Sequence, residues 1–531
     1  MTEVIVKRLE DINDKSKEVN VVLNEFINDF ADKTKFNDLN HDKLRERLWN
    51  IIFSLLDKSN NQECKLLCLT SIKMLSREKT DLDTIITQER LNILLKSAEL
   101  QNKNCTKVEV DLKKVPTMIE ASKCLCNIVY NFSGAAQILN SYDICVLLCN
   151  RIKLKIKDRA VRYTIKLFDM KLMFLLTALC ESARVKLYKN GNALKFFIDL
   201  INEELKLIKN HSNDETVRKL TDDQHKFCCE SLKTFFNILM SVRMENSTKQ
   251  KEVVCVMRDL LLLESNPTDL TLDGHVINLL TLLPVEILNE LMVPGYELKK
   301  TNLKSNPGLA AVSKIVNYLD VMLTETEGKS PIETLSPVLL VLLHLAQANS
   351  FFRKYIKMEV LPNLREVHKR PEEGNSLRSR LCRLLTSPMD SVREPVADLL
   401  FTLCREDVGR MVKYTGYGNS AGLFARRGLV NGPLSYSSDS DSDTEEYSKH
   451  KDEIDPVLGC LPGPKDNSIE EMTEEQKEYL AVELANKIDK LQRDGLIQPC
   501  TIGADGKPKP IEHVLQLQMQ GKLNISGSNG S

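Results

Sequence analysis

Apolar residues recur at helical spacing in a series of segments between residues 46 and 412. Within each segment the apolar positions fall three or four residues apart, a spacing that places their side chains on one face of a helix. Several segments share one plan, in which a short polar entry is followed by L-x-x-L-like positions. The segments are RERLWNIIFSLLD (45–57), CKLLCLTSIKML (64–75), EASKCLCNIVYNF (120–132), KLMFLLTALCESA (171–183), ESLKTFFNILMSV (230–242), GHVINLLTLLP (274–284), PVLLVLLHLAQANS (337–350) and PVADLLFTLCRED (395–407).

This recurrence predicts a helical repeat array. The spacing of roughly 45 to 60 residues exceeds the ~40–47 residues of HEAT and armadillo units, and we attribute the excess to polar insertions such as 208–224 and 324–334. A two-helix unit cannot bury its apolar face alone, whereas stacked units share a continuous core. We therefore predict an all-α, armadillo/HEAT-like α-solenoid superhelix over residues 1–430, with a compact multi-domain helical protein as the alternative. The concave surface of a solenoid typically binds an extended or helical peptide.

The helical pattern stops near Val430, where the composition changes. Residues 431–470 are rich in Ser, Asp, Gly and Pro, and they predict an acidic flexible linker that cannot bury enough apolar surface to fold alone. Order is predicted to resume over residues 471–495 and to give way to a flexible tail over 496–531.

Residues 471–495 have the pattern of one amphipathic helix. Thr473 and Gln476 form a capping-box signature, and Asp494-Gly495 supplies a stop signal. One face of the predicted helix carries Leu480, Leu484, Ile488 and Leu491. A single helix beyond a linker has no core of its own, so we expect it to dock on the solenoid or on a partner.

Composition narrows the class of protein. Of 531 residues, 42% are hydrophobic and 28% are charged, and the formal net charge is −1. Such a balance gives no general attraction to nucleic acid or to an anionic membrane. The N-terminus lacks the features of a secretory signal, no apolar run approaches the ~20 residues of a membrane span, and the cysteines are therefore expected to be reduced thiols. We expect a cytoplasmic monomer without direct membrane insertion.

The sequence contains no recognisable pattern of catalytic chemistry. P-loop, GxSxG and HExxH motifs are absent, and the histidines and cysteines show no metal-binding spacing. The glycine cluster GYGNSAG, from Gly416 to Gly422, follows a predicted helix and is expected to form a helix terminus and a tight turn. We expect no catalytic residue, no metal and no cofactor. Any effect on a reaction would then arise from differential binding of another protein's conformations.

Several longer stretches carry a specific resemblance to a known family. VKYTGYGNSAGLFARRGLV (412–430) and SDSDTEEY (440–447), the latter followed by MTEEQKEYLAVELANKIDKLQRDGLIQP (472–499), closely resemble the synembryn family (resistance to inhibitors of cholinesterase). LTALCESARVKLY (176–188) and VLPNLREVHKRPEEGN (360–375) extend the resemblance, which covers essentially the whole chain. Members of that family are cytosolic armadillo/HEAT-like superhelices that bind GDP-loaded monomeric Gα subunits, promote GDP release and chaperone nascent Gα.

The resemblance implies a mechanism. The concave face takes the C-terminal helix of Gα and draws it from the G-domain, which loosens GDP and stabilises nucleotide-free Gα until GTP re-forms the domain. Such a population shift requires no catalytic side chain on the exchange factor. The implied partners are Gα subunits, GDP-bound or nucleotide-free and without Gβγ, and the implied location is the cytoplasm with recruitment to the cell cortex or plasma membrane through Gα.

Candidate Gα contacts follow from the resemblance residue by residue. Lys73 and Arg77 lie four apart, on one predicted helical face, and suit the carboxylate terminus of a Gα tail. The family has arginine at both positions, so Lys73 keeps the charge without the bidentate fork. Asn127 and Asn237 occupy the slot where armadillo repeats hold peptide backbone, although each could instead cap a helix or bond within the solenoid. The remaining candidates are Phe168, Phe174, Phe235, Phe236, Leu480, Leu484 and Ile488, and for the phenylalanines a core position is the alternative.

The acidic stretch SYSSDSDSDTEEY (435–447) predicts phosphorylation by an acidophilic kinase of the casein-kinase-2 type. Such kinases select a carboxylate about three residues after the hydroxyl, and each phosphate adds about −1.5 to −2 charges. By resemblance, the family's two phosphorylated positions fall on Ser437 and Ser442. The full set of candidate acceptors is Ser437, Ser438, Ser440 and Ser442.

A basic cluster in FFRKYIKMEV (351–360) offers a receiving site for these phosphates. Arg353, Lys354 and Lys357 fall within about one helical turn, and by resemblance Arg353 and Lys357 match the residues that receive the family's phosphate. Phosphorylation is therefore expected to pin the linker along the solenoid and to improve Gα binding.

Two other functions remain open at this point. A cargo adaptor of the armadillo import type would bind basic peptides, but that type lines its groove with tryptophan–asparagine arrays and this chain has one tryptophan, Trp49. A passive scaffold without exchange activity is the second alternative.

Overall fold

The computed structural model describes most of the chain as α-helix. The described residues are 2–12, 16–39, 43–101, 111–190, 192–211, 219–242, 244, 247–264, 269–299, 302–325, 332–430, 444–462, 472–495, 497–498, 500–502 and 507–510. The all-α helical-repeat fold predicted from the sequence is confirmed. The chain forms two compact units, unit 1 (Met1–Glu290) and unit 2 (Leu291–Ser531), where the sequence predicted one array through residue 430.

Unit 1 is built from helices of four to 21 residues. Its α-helices are α1 (Thr2–Asp11), α2 (Ser16–Phe30), α3 (Leu44–Lys58), α4 (Gln62–Leu75), α5 (Leu82–Ile85), α6 (Gln88–Ser97), α7 (Val115–Asn131), α8 (Gly134–Asn140), α9 (Ile144–Ile152), α10 (Arg159–Leu179), α11 (Glu181–Asn190), α12 (Ala193–His211), α13 (Asp222–Ser241), α14 (Ser247–Leu261) and α15 (Thr271–Leu280). Short 3-10 turns lie at Asn37–Leu39 and at Val285–Leu291.

Unit 2 continues with helices and one short hairpin. Its elements are α16 (Ala310–Glu325), α17 (Ile332–Ala348), α18 (Ser350–Val360), α19 (Leu377–Leu384), α20 (Asp390–Leu403), α21 (Val408–Thr415), α22 (Tyr417–Arg427), α23 (Glu445–His450), α24 (Glu474–Arg493), β1 (Cys500–Ile502) and β2 (Pro508–Pro510), with 3-10 turns at Leu303–Ser305 and Pro307–Leu309. Strands β1 and β2 pair antiparallel.

Helices α4, α7, α10, α13 and α15 lie side by side in chain order and form one row of unit 1. Neighbours run parallel, because the residues that bond across them advance together: Cys124 Sγ donates to Leu69 O at 3.1 Å, and Asn131 Nδ2 donates to Ser76 O at 2.7 Å. Side-chain oxygens at the N-cap positions accept backbone amide hydrogens and fix where these helices begin. The caps of α4, α10 and α13 are Asn61, Asp158 and Thr221.

The recurring apolar segments of unit 1 correspond largely to this row. A helix in the row is covered by a neighbour on each flank and by the outer helices behind it, so most of its circumference is buried. The helices between the segments, such as α9 and α12, account for much of the spacing that the sequence attributed to polar insertions.

Buried ion pairs connect the row to the outer helices. Arg151 of α9 pairs with Asp169 of α10, and Lys166 Nζ lies 3.1 Å from Glu204 Oε1 of α12. All four side chains are nearly inaccessible. Because an unpaired buried charge is costly, these pairs favour one alignment of α10 against its neighbours.

Residues 444–462 form an ordered strap within unit 2 that bonds to the loop after α18, where the sequence predicted a flexible linker over 431–470. Thr444 Oγ1 donates to Leu364 O at 2.5 Å, and Leu461 N donates to Val367 O at 2.7 Å. The buried ring of Tyr447 lies between these two anchors in the chain. The prediction for this segment is wrong because a polar segment that cannot form its own core can still order on a preformed surface.

The glycine cluster forms the helix terminus that the sequence predicted, and it also holds the strap. Gly416 adopts φ 73° between α21 and α22. Tyr417 N donates to Pro456 O at 2.9 Å and Gly418 N donates to Val457 O at 3.0 Å. The strap thereby accepts two of the amide hydrogens that the start of α22 leaves without intrahelical partners.

Helix α24 has the predicted capping box, in which Thr473 and Gln476 each bond the other's backbone amide. Its apolar side chains remain exposed, with Leu484 at 59%. No helix among the described residues is both long enough and apolar enough to cross a bilayer.

Candidate partner-binding surface

One face of the helix row in unit 1 is left uncovered, and we call it the open face. Side chains at three- and four-residue spacing along α4, α7, α10 and α13 are half-buried or exposed there, while those on the opposite side of each helix are buried. Most of the predicted Gα contacts fall on it. These are Lys73 on α4, Asn127 on α7, Phe168 and Phe174 on α10, and Phe236 and Asn237 on α13.

Lys73 lies on the open face in contact with a carboxylate that the sequence analysis missed. Its ammonium group forms an ion pair with Glu120 of α7, and Lys123 Nζ lies 3.0 Å from the other carboxylate oxygen. Burial would raise the pKa of Glu120, but the hydrogen bonds from Lys73 and Lys123 outweigh it and lower that pKa. Two lysines therefore share one carboxylate, which leaves an excess of positive charge at this position.

The phenylalanines of the open face lie beside further lysines. The ring centroid of Phe168 is 5.2 Å from Lys123 Nζ and 5.4 Å from Lys171 Nζ. On the next helix pair, Lys233 Nζ is 4.8 Å from the Phe174 ring. Each arrangement is a cation–π contact. The open face thus presents half-buried rings flanked by ammonium groups.

The two asparagines bond to the preceding helix of the row. Asn127 Nδ2 donates to Lys73 O at 3.1 Å. Asn237 Nδ2 donates to Phe174 O at 3.4 Å and to Thr177 Oγ1 at 3.3 Å. This is the alternative in which an asparagine bonds within the solenoid. The spacing Lys-x-x-x-Asn occurs at both sites, a signal that could have identified Lys123 and Lys233.

Two candidates lie elsewhere than the sequence predicted. Phe235 points into the core, is 1% exposed and stacks on Phe197 with ring centroids 5.0 Å apart, so its predicted interface role is wrong and Phe236 is the half-buried one. Arg77 lies beyond the end of α4 at Leu75, and its guanidinium donates to Ala31 O at 2.7 Å. The helical face predicted for Lys73 and Arg77 therefore ends before Arg77, because the chain turns at Ser76.

The charge of the open face is positive. Its four lysines, Lys73, Lys123, Lys171 and Lys233, stand against two glutamates, Glu120 and Glu230, which gives 4 − 2 = +2. Glu230 lies 2.8 Å from Lys233. Half-buried rings among ammonium groups suit a ligand that is apolar along one side and carries a carboxylate.

The basic cluster of α18 lies in unit 2. Arg353 Nη1 donates to Ala346 O at 3.1 Å, Lys354 Nζ lies 5.9 Å from the Phe351 ring centroid, and Lys357 Nζ lies 5.4 Å from that of Tyr414. The three cations are half-buried.

Contacts link this cluster to the strap through a lysine that the sequence analysis missed. Lys413 Nζ is 6.0 Å from the Tyr414 ring and 4.6 Å from the ring of Tyr447, which belongs to the strap. Lys357 and Lys413 thus both contact the ring of Tyr414, and Lys413 also contacts Tyr447, which lies three residues after Thr444 in the strap. The predicted acceptors Ser437, Ser438, Ser440 and Ser442 lie outside the described residues, and the described strap begins two residues after Ser442.

The predicted apolar contacts of the C-terminal helix are solvent-accessible on α24. Leu480, Leu484 and Ile488 are exposed by 44%, 59% and 38%. They lie on one helical face with Leu491, as the sequence predicted.

Comparison with known proteins identifies the family. The family model described as "Guanine nucleotide exchange factor synembryn" (Ric8) matches residues 68–507. Chaperone Ric-8 of Drosophila pseudoobscura pseudoobscura is 35% identical over 565 residues, which cover 97% of this chain and 97% of that protein. Chaperone Ric-8A of Xenopus tropicalis is 34% identical and that of Mus musculus 33%, with 90% and 95% of each chain covered, respectively. The family resemblance found in the sequence is confirmed, and the chain belongs to the guanine nucleotide exchange factor synembryn family.

Proposed function

We propose that this protein is a guanine-nucleotide exchange factor and folding chaperone for monomeric Gα subunits, and that the open face of unit 1 binds the C-terminal helix of Gα. The family supports the exchange and chaperone roles. The observation that carries the binding site is the open face itself, where half-buried phenylalanines lie among lysines.

The chemistry of the open face fits a helical tail that ends in a carboxylate. The rings of Phe168, Phe174 and Phe236 can cover the apolar side of such a helix, and Lys73 can reach its terminus because Lys73 shares Glu120 with Lys123. A ligand carboxylate would recruit Lys73 and leave Glu120 paired with Lys123. Binding therefore strands no buried charge.

Exchange follows from differential affinity. Binding the C-terminal helix favours a Gα conformation in which that helix has left the G-domain and the guanine site is loosened. GDP dissociates, the nucleotide-free complex persists, and GTP re-forms the G-domain and ends the complex. The same preference for an incompletely closed G-domain accounts for chaperoning, and no residue of this chain needs to take part in covalent chemistry.

The test is the release of labelled GDP from purified Gα, with and without this protein. We expect a faster rate for the wild-type chain and a reduction of at least tenfold for Lys171→Glu, because the reversed charge lies 5.4 Å from the Phe168 ring. Lys195→Glu on α12 is the matched control, since Lys195 is an exposed lysine outside the row. Peptide binding without any effect on GDP release would favour the scaffold alternative and contradict the exchange proposal.

Phosphorylation of the acidic stretch by a casein-kinase-2-type kinase is proposed to strengthen Gα binding. Thr444, two residues after Ser442 in the chain, is anchored at Leu364, four residues past the end of α18, the helix that carries Arg353 and Lys357. We expect kinase treatment to raise the exchange rate of the wild-type chain but not that of Arg353→Gln/Lys357→Gln. Lys304→Gln, an exposed lysine of unit 2, serves as the control. Equal rates before and after complete phosphorylation would contradict the proposal.

The proposed location and assembly follow from the same partner. We propose a cytoplasmic monomer that Gα recruits to the cell cortex or plasma membrane, and that binds Gα without Gβγ. The C-terminal helix α24, with Leu480, Leu484 and Ile488 exposed, is proposed as a second contact with Gα.

A further inference from the structure

Positive charge is concentrated at one edge of unit 1, where α7 and α10 begin, and we call this surface the basic edge. Its charged residues are Asp111, Lys113, Lys153, Lys155, Lys157, Asp158, Arg159 and Arg162. Six cations and two carboxylates give 6 − 2 = +4. The formal net charge of the whole chain is −1, so the overall balance conceals this local excess.

The segment between α9 and α10 alternates lysines with apolar residues. Its three lysines are exposed, whereas the intervening Leu154 and Ile156 are half-buried. Ile156 packs against a buried cluster that includes Val115, the first residue of α7. The packing of the apolar side chains therefore directs the lysine side chains towards solvent and holds the segment beside the start of α7.

The charge of the basic edge is not neutralised by ion pairs. Among the residues that the structure describes, none of its six cations pairs with a carboxylate. Lys153 Nζ lies 5.1 Å from the ring centroid of Phe196, and a neutral ring leaves that charge uncompensated. The neighbouring Lys114 is not counted, because its Nζ lies 3.0 Å from Glu99 Oε1.

The start of α13 adjoins the basic edge and reduces its charge only slightly. Arg159 Nη2 donates to Thr221 Oγ1, the N-cap of α13, at 3.0 Å. The charged residues at this start are Lys219, Asp222 and Asp223, and including them gives 4 + 1 − 2 = +3. The excess therefore persists across the starts of three row helices.

An exposed apolar side chain lies among these cations. Leu112 is 63% exposed and directly precedes Lys113. It lies three residues before Val115, against which Ile156 packs, so it is at the same edge as the exposed lysines. At a bilayer surface, ammonium groups meet lipid phosphates while an apolar side chain enters the interface. An acidic polypeptide would offer its carboxylates to the lysines but no hydrocarbon layer to the leucine.

We propose that the basic edge adsorbs to a bilayer that contains anionic phospholipids, with Lys113, Lys155 and Lys157 at the headgroups and Leu112 in the interface. One cation near such a surface strengthens binding roughly fivefold, so several together give a reversible contact that salt weakens. This contact lies within unit 1 and does not depend on the proposed binding of Gα.

Co-sedimentation of the full-length protein with vesicles, in the absence of Gα, tests the proposal. We expect binding at low salt to phosphatidylcholine vesicles that contain phosphatidylserine, and weaker binding as the salt concentration rises. Vesicles of phosphatidylcholine alone should bind far less. Absence of binding to the phosphatidylserine vesicles at low salt, or equal binding to both kinds of vesicle, overturns the proposal.

Charge reversal at two edges of the same row locates the contact. Lys155→Glu/Lys157→Glu should weaken binding to phosphatidylserine vesicles at least tenfold. Lys35→Glu/Lys79→Glu makes the same change of charge beyond the opposite end of α4, where Phe36 N donates to Glu78 Oε2 at 2.8 Å, and should change binding less than threefold. All four lysines are exposed, so both variants should unfold like the wild type by circular dichroism. Equal weakening in the two variants would overturn the proposal.

Leu112→Ser distinguishes a bilayer from an acidic polypeptide. The substitution changes no charge and replaces an exposed side chain, so folding and any attraction to polyglutamate should be unaffected. Binding to phosphatidylserine vesicles should fall severalfold, because the leucine no longer enters the interface. Unchanged vesicle binding would overturn the bilayer as the partner, and tighter binding of polyglutamate than of vesicles would assign the basic edge to an acidic polypeptide instead.

Discussion

Helices α13 and α24 are both 20 residues long, and both begin with the same capping box. Thr221 and Gln224 form the box in α13, and Thr473 and Gln476 form it in α24. Their surroundings differ completely. Phe235 in α13 is buried against Phe197, whereas Leu484 in α24 is 59% exposed. The same local signals therefore produce a central helix of the row in one case and an unpacked helix in the other.

The comparison separates what the local sequence determines from what tertiary packing determines. Capping and periodicity determine where a helix begins and which side is apolar. Packing determines how stable the helix is, because an isolated helix gains little from its own hydrogen bonds in water. The apolar face of helix α24 is thus exposed to solvent, and burying it against a partner would be favourable. Such exposure is expected of a segment that binds a partner.

The largest difference between α13 and α24 is expected when an apolar side chain of each helix is truncated to alanine. Phe235→Ala should lower the free energy of unfolding by about 3–5 kcal/mol, because it removes a fully buried ring from the row. Leu484→Ala should change it by less than about 0.5 kcal/mol. Chemical denaturation followed by circular dichroism measures both. A comparable loss for Leu484→Ala would show that α24 is packed and would end the comparison.

A smaller effect concerns the strap, which, unlike α24, is held by contacts with other parts of unit 2. Gly416 has φ 73° and ψ 148°, and a Cβ there would lie 3.1 Å from Val457 O. Gly416→Ala should therefore cost about 1–3 kcal/mol and accelerate amide hydrogen exchange across residues 444–462. Gly422→Ala is the control, since a Cβ at Gly422 meets nothing within 4 Å. Unchanged exchange in the strap would show that Gly416 does not hold it.

Removing either capping box should destabilise its own helix by a similar amount, but only the box of α13 should affect the unfolding of the whole protein. Thr221→Ala should lower the global free energy of unfolding by about 1 kcal/mol, a typical value for a lost N-cap. Thr473→Ala should leave that global value unchanged and reduce only the helicity of α24, read from chemical shifts of residues 474–493. A global loss for Thr473→Ala would contradict the independence of α24.

The smallest predicted effect is the pH dependence that Glu120, on the open face, gives to the free energy of unfolding. The pKa of Glu120 is lowered in the folded protein, so its contribution to stability is present above the unfolded-state pKa and is lost as the pH falls through the folded-state pKa. In Glu120→Gln the free energy of unfolding should fall less steeply as the pH is lowered. The difference from the wild type should be less than about 1 kcal/mol, because the lysine partners are partly exposed. Glu483→Gln on α24, which removes an exposed carboxylate paired with Lys487 at 2.7 Å, should leave the profile unchanged. If the free energy of unfolding depended on pH in the same way in the wild type and in Glu120→Gln, Glu120 would not be the source of the acid-side loss.

Much of the fold was predictable from the sequence, because it depends on periodicity and capping. The apolar segments predicted the row helices, and Thr473 predicted the start of α24. The division into two units and the ordering of the strap were not predictable. Both depend on contacts between residues far apart in the chain, such as Thr444 with Leu364, and no local pattern encodes them.

The candidate site was predictable in outline and less so in detail. Lys73, Phe168 and Asn237 fall on the open face, and the family resemblance predicted that all three would lie on one concave surface. Phe235 and Phe236 could not be distinguished from the sequence, since adjacent residues differ by about 100° around a helix and the register of packing decides between them. Glu120 was missed because its role arises only when α7 is placed beside α4.

The central claim, that the open face binds the C-terminal helix of Gα, is tested most directly with a labelled peptide of that helix. Fluorescence anisotropy should show saturable binding to the wild-type chain and at least tenfold weaker binding to Lys73→Gln/Lys171→Gln, which removes two cations of the open face. The control Lys96→Gln/Lys195→Gln removes two exposed lysines of unit 1 outside the row and should bind like the wild type. Wild-type affinity in the Lys73→Gln/Lys171→Gln variant, or equal weakening in both variants, would contradict the claim.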